Sequence, residues 1–160
     1  MFQTTSYSGN RMKDYELVLQ QAKALMDGEP DHIANLSNAS ALLNQLLEEV
    51  NWVGFYIFKD DELVLGPFQG LPACLRIPNG KGVCGTAVKT RETQVVADVN
   101  AFPGHIACDG ATQSEIVIPL LVKGEIYGVL DIDSPRKDRF DEIDKKYLEK
   151  FAAIVQSHLN

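Results

Sequence analysis

The chain has 160 residues, enough for one domain with a buried core. With 45% hydrophobic and 23% charged residues it has the balance of a folded globular protein, which excludes extended disorder. Its net charge of −7 opposes phosphate backbones and anionic lipid, so neither nucleic acid nor membrane is expected as a partner.

Residues 1–10 are polar and expected to be loose, and Met1-Phe2-Gln3-Thr4-Thr5 lacks the basic and apolar regions of a secretory leader. A first helix is predicted from about Arg11. Tyr15, Val18, Leu19, Ala22, Leu25 and Met26 recur at spacings of three and four, and Gly28 and Pro30 stop it. Asp31 can cap a second helix with Leu36, Ala39, Leu43, Leu46, Leu47 and Val50 as its stripe. Trp52 to Phe58 is apolar on both faces and reads as a central strand. Asp60-Asp61 turns the chain into a second strand, Glu62 to Phe68. Gly70, Pro72, Pro78, Gly80 and Gly82 then mark a long loop to Gly85, the kind of segment that carries function. A short helix near Val83 to Thr90 and a strand from Gln94 to Val99 follow. A second long loop runs from Asn100 to Ser114. Glu115 to Val122 and Glu125 to Asp133 form a hairpin about Lys123-Gly124. The apolar run within it, Ile116 to Val122, is far too short to cross a bilayer. Asp141 caps a last helix with Tyr147, Leu148, Phe151, Ile154, Val155 and Leu159 facing inward. This order predicts one α+β domain over 1–160, an antiparallel sheet with helices packed mainly on one face.

Cys74, Cys84 and Cys108 are an odd number of thiols without a leader, which argues against a structural disulfide framework and for a cytoplasmic protein. Cys74 and Cys108 sit in the two long loops, where a thiol can be reached. His105 would lower the pKa of Cys108 if close, and Asp109 would raise it. Cys84 falls at a helix start, where the dipole favours a thiolate; a small buried packing residue is its alternative. Loop cysteines suggest a dithiol pair, one sulfur attacking and another resolving, and this pattern leaves the pairing open. No metal is expected, because no C-x-x-C pair is present and the three histidines are scattered. Asp131 and Asp133 lie two apart and so share a strand face, along with Tyr127 and Val129. Such a pair is suited to an ammonium group, or else projects into water. Glu115 opens the neighbouring strand and can donate a proton if desolvated. Trp52 and Tyr56 face the same way and can wall a small apolar pocket or serve as core.

Taken together, several stretches resemble the free methionine-(R)-sulfoxide reductases, a family built on a single GAF-type domain. They are Asn51-Trp52-Val53-Gly54-Phe55-Tyr56, Leu65-Gly66-Pro67-Phe68-Gln69-Gly70, Gly80-Lys81-Gly82-Val83-Cys84-Gly85, His105-Ile106-Ala107-Cys108-Asp109, Ser114-Glu115-Ile116-Val117-Ile118-Pro119 and Leu130-Asp131-Ile132-Asp133-Ser134-Pro135. The resemblance implies a GAF fold and Cys108 as the sulfur that attacks free methionine sulfoxide. It implies Cys74 as the resolving thiol, with Cys84 as an alternative or second-stage partner, and thioredoxin as the reductant. It gives Glu115 and Asp133 as acids near the sulfoxide oxygen, Asp131 as the ammonium partner, and Trp52 and Tyr56 as the walls around the carbon chain. No cofactor is implied, and a homodimer is compatible with a GAF fold. A non-catalytic GAF sensor of small ligands and a thiol redox sensor are the competing readings.

Overall fold

A computed structural model describes residues 5–160. Helix α1 spans Arg11–Met26 and α2 His32–Leu46. Strands β1 (Trp52–Lys59), β2 (Glu62–Gly70) and β3 (Arg76–Pro78) follow, then α3 (Gly82–Thr90). Strands β4 (Gln94–Val96), β5 (Ser114–Val122) and β6 (Glu125–Ser134) precede the last helix, α4 (Glu142–Ser157). All pairings are antiparallel, in the spatial order β3-β2-β1-β6-β5-β4.

Aspartate caps start α2 and α4 as the sequence suggests, and Asn10, which the sequence reading did not single out, starts α1. Asn10 accepts from the Lys13 N–H and Asp31 from the Ala34 N–H. Asp141 and Asp144 form a reciprocal capping box on α4. α1, α2 and α4 lay their apolar stripes on one face of the sheet, against Val53, Phe55, Ile116, Ile118, Leu120, Leu130 and Ile132. Each fully buried Leu, Ile or Phe there contributes about 1.5–3 kcal/mol. α3 covers the other face, with Val83, Ala87 and Val88 on Trp52, Tyr56, Val117 and Val129. The helices therefore lie mainly on one face, as expected.

Three local readings change. The first long loop contains β3, because Ile77 is buried opposite Leu63 and β3 lies at the sheet edge, where Pro78 forfeits no ladder bond. The strand expected to run to Val99 stops at Val96. Asp98 accepts from the Asn100 N–H and turns Val99–Ala101 into a single 3₁₀ turn. Tyr127 does not share the face of Asp131. Leu120 pairs with Gly128 but Leu121 with Ile126, so β6 bulges at Tyr127 and the alternation flips. Tyr127 packs on the three-helix side, its hydroxyl 3.2 Å from His32 Nδ1 on α2.

The looseness expected over 1–10 falls partly on residues 1–4, outside the described residues. Beyond them, the backbone N–H groups of Ser8 and Gly9 donate to Asp14 in the first turn of α1. At the α1–α4 seam Tyr15 stacks on Tyr147 and its hydroxyl donates to Asp144 Oδ1 at 2.6 Å. Arg139 Nη1 donates to Asp144 Oδ2 at 3.2 Å, and both side chains are largely buried. Asp144→Ala removes the capping box, the tyrosine's acceptor and the arginine's partner together. A loss of about 3 kcal/mol is expected from urea unfolding, because a buried charge is left unpaired. Tyr15→Phe should cost about 1 kcal/mol, and equal effects would contradict this reading.

Candidate functional site

The α3 side of the sheet carries the polar chemistry. Antiparallel partners share a face, so the pairs Trp52–Asp133 and Gly54–Asp131 on β1 and β6 point towards α3. Glu115 on β5 lies opposite Asp133, and Val117 opposite Asp131. Three carboxyl groups thus meet on adjacent strands. Glu115 is 6% exposed, Asp131 5% and Asp133 9%. Trp52 and Tyr56 stand beside them with ring centroids 5.8 Å apart.

The two loops close over this floor. Trp52 Nε1 donates to the Leu71 carbonyl at 3.2 Å and Tyr56 Oη to the Cys74 carbonyl at 2.9 Å, which pins the first loop to β1. Asn51 Nδ2 donates to Asp109 Oδ2 at 2.9 Å and to Thr112 Oγ1 at 3.1 Å, which pins the second. Cys74 and Cys108, whose sequence positions left their pairing open, are joined in a disulfide with Cα atoms 5.3 Å apart. The cavity between the loops and the sheet has a volume of about 30 Å³. That admits a water or two but no amino acid. The pocket is too narrow for the substrate that the resemblance implies in this disulfide form. Trp52, Tyr56, Cys84, Cys108, Glu115, Asp131 and Asp133 all border it, so every candidate except Cys74 lies on one cavity. Cys74 reaches it through the disulfide.

Cys84 sits in the first turn of α3, buried, with Sγ 3.9 Å from Glu115 Oε2. Burial pushes its thiol well up, and the charges of Asp131 and Glu115 push it further. The net shift is upward, opposite to the helix-terminus effect that favours a thiolate. Burial likewise holds the Glu115 carboxyl well above the ordinary range, with the charges of Asp131 and Asp133 adding to it. Asp133 is raised by burial and by Asp131. Burial lowers His105. Glu115, Asp133 and Cys84 are therefore all biased towards their neutral forms.

Four buried polar atoms have no hydrogen-bond partner among the described residues: Asn51 Oδ1, His105 Nδ1, Asp131 Oδ1 and Asp133 Oδ1. Native structures leave few such atoms, and all four border this cavity or the loop above it. A polar ligand would complete them. Sequence reading missed Asn51 and Thr112. Only the contact of Asn51 with a loop distant in sequence reveals it, although it directly precedes Trp52.

A profile of the GAF domain family matches residues 37–160. The chain is 51% identical over 150 residues to the free methionine-R-sulfoxide reductase of Escherichia coli, covering 94% of this chain and 91% of that one. The chain belongs to the free methionine-R-sulfoxide reductase family. Protein YtsP of Bacillus subtilis is 60% identical over 161 residues, 99% of each chain. Free methionine-R-sulfoxide reductase from Neisseria meningitidis, solved in complex with its substrate, superposes with a TM-score of 0.95 at 43% identity, covering 99% of this chain and 96% of that one. Members of the reductase family are oxidoreductases acting on a sulfur group.

The neutral acids have a measurable cost. A carboxyl raised on folding binds more protons folded than unfolded, so its burial lowers stability as pH rises above the ordinary carboxyl range. Glu115→Gln removes that dependence. The variant should be more stable than the parent, by a margin growing up to about 1.4 kcal/mol per pH unit from about pH 5 upward. Urea unfolding at about pH 5 and about pH 8 tests this, and a constant margin would show that Glu115 ionises normally.

Proposed function

We propose that this chain reduces free methionine-(R)-sulfoxide to methionine, with Cys108 as the attacking sulfur. One observation carries the reading: Cys108 is tied to a second loop thiol at the rim of a cavity floored by three buried carboxyls. Membership of the reductase family supplies the reaction class.

The sulfur of Cys108 attacks the sulfoxide sulfur, and the sulfoxide oxygen passes to Cys108 as a sulfenic acid, releasing methionine. Proton donation to that oxygen falls to Glu115 and Asp133, whose burial favours their protonated forms. Asp131 meets the substrate ammonium, for which its Oδ1 has no other partner among the described residues. Trp52 and Tyr56 flank the methyl and side-chain carbons. The Cys74 thiol then condenses with the sulfenic acid, forming the disulfide and water. Cys84, buried beside the acids, takes no part in that first condensation. A buried carboxyl that needs an ammonium penalises methionine sulfoxide within a peptide, where the amine is an amide. A thioredoxin-type dithiol in the cytosol returns the disulfide to thiols.

Purified protein with thioredoxin and its reductant should consume one diastereomer of free methionine sulfoxide. Cys108→Ser should lower turnover about 1000-fold or more, and full retention would overturn the mechanism. After stoichiometric substrate without reductant, intact mass should fall by two hydrogens in the parent protein. Cys74→Ser should instead retain the sulfenic oxygen. A disulfide formed in that variant would make Cys84 the resolving thiol. Glu115→Gln and Asp133→Asn should each slow the single-turnover reduction about 100-fold, and unchanged rates in both would remove the acid role.

A further inference from the structure

Cys84 is the one thiol outside the disulfide, and it takes no part in the first condensation proposed above. Its sulfur, an oxygen of Glu115 and an oxygen of Asp131 all lie within 4.8 Å of one another. They come from α3, β5 and β6, so the sheet register and the seat of α3 hold the trio together. All three side chains are buried, and Asp131 Oδ1 has no hydrogen-bond partner among the described residues. Of the described side chains bordering the cavity, His105 alone can carry positive charge. No fixed cation of the described lining therefore competes for these three donors.

We propose that Cys84, Glu115 and Asp131 form a binding site for one thiophilic divalent cation, zinc above all. The donor set decides the class. One thiolate and two carboxylates suit zinc, whereas magnesium and calcium take oxygen alone. The geometry is close to what zinc needs. Bonds of about 2.3 Å to sulfur and about 2.0 Å to oxygen at tetrahedral angles put those atoms about 3.5 Å apart. Cys84 Sγ and Glu115 Oε2 are 3.9 Å apart, so that pair closes by a few tenths of an ångström, and the Asp131 oxygen starts within 4.8 Å of both. The cavity, of about 30 Å³, holds an ion and one water as fourth ligand. On binding, the Cys84 thiol and the Glu115 carboxyl each release a proton to solvent, and the metal takes their place. Resting on the reductase reading, the same ion occupies the place of the substrate ammonium at Asp131 and blocks turnover.

Cobalt(II) titration of the disulfide form tests the site. Cys74 and Cys108 are then locked, so any thiolate-to-cobalt charge-transfer band reports Cys84 alone. The parent protein should develop that band with one cobalt per chain, and zinc should displace it. Cys84→Ser should lose the band, and Glu115→Gln should weaken binding about tenfold or more, since loss of outer-shell partners alone costs that much. Absence of the band in the parent, with the disulfide intact, overturns the proposal. So does cobalt binding that Glu115→Gln leaves unchanged. Methionine sulfoxide turnover plays no part in this readout, so failure here and failure of the reductase reading are separate results.

Discussion

Three carboxyl groups share one face of β5 and β6 with no basic side chain of the described residues beside them except His105. Leaving an ionised carboxylate in such a place costs several kcal/mol, and burial accordingly raises Glu115 and Asp133 towards their protonated forms. Everything else at the site is arranged about that cost. β6 lies between β1 and β5, and its pairings place Asp133 beside both Trp52 and Glu115. A slip of one residue on either side would send the acids into the apolar core on the other face. The same register that assembles the acids therefore forbids alternatives, and the backbone ladder rather than any side-chain contact sets their spacing.

The two faces of the sheet divide the work. Under α1, α2 and α4 the packing is almost wholly apolar, and the buried charges that occur there are answered: Asp144 receives Arg139, Tyr15 and the Asp141 N–H. Under α3 the acids are not answered in this way, and unpartnered oxygens persist. A small domain tolerates the second face because the first supplies the stability. This contrast distinguishes a structural ionic cluster from one that awaits a ligand.

Helices were legible because their stripes and their Asp31 and Asp141 caps are local signals, and the central strands because their apolar runs are long. β3 was hidden: three residues give no periodicity, and only pairing with Leu63 and Val64 makes them a strand. The bulge at Tyr127 was equally silent, since a bulge depends on the partner strand and not on the residue itself. At the site, period-two spacing already put Asp131 with Asp133 and Trp52 with Tyr56. The juxtaposition of Cys84, Glu115 and Asp131 lay beyond such reasoning, because it joins a helix start to two strands far along the chain. Cys74 and Cys108 were visible as loop thiols, and the family resemblance implied their pairing. Their approach depends on Trp52, Tyr56 and Asn51 tethering both loops to one strand.

Trp52 is the single tryptophan in the chain. Its indole nitrogen donates to Leu71, three residues before Cys74, while its ring stacks on Phe68 with centroids 5.1 Å apart and on Tyr56. The ring is 2% exposed and stands on the cavity wall. Any displacement of the Cys74 segment alters the hydrogen bond, the stacking and the wetting of this one fluorophore together. The protein thus carries its own optical gauge of thiol state, readable without a label, with no second indole to blur the signal.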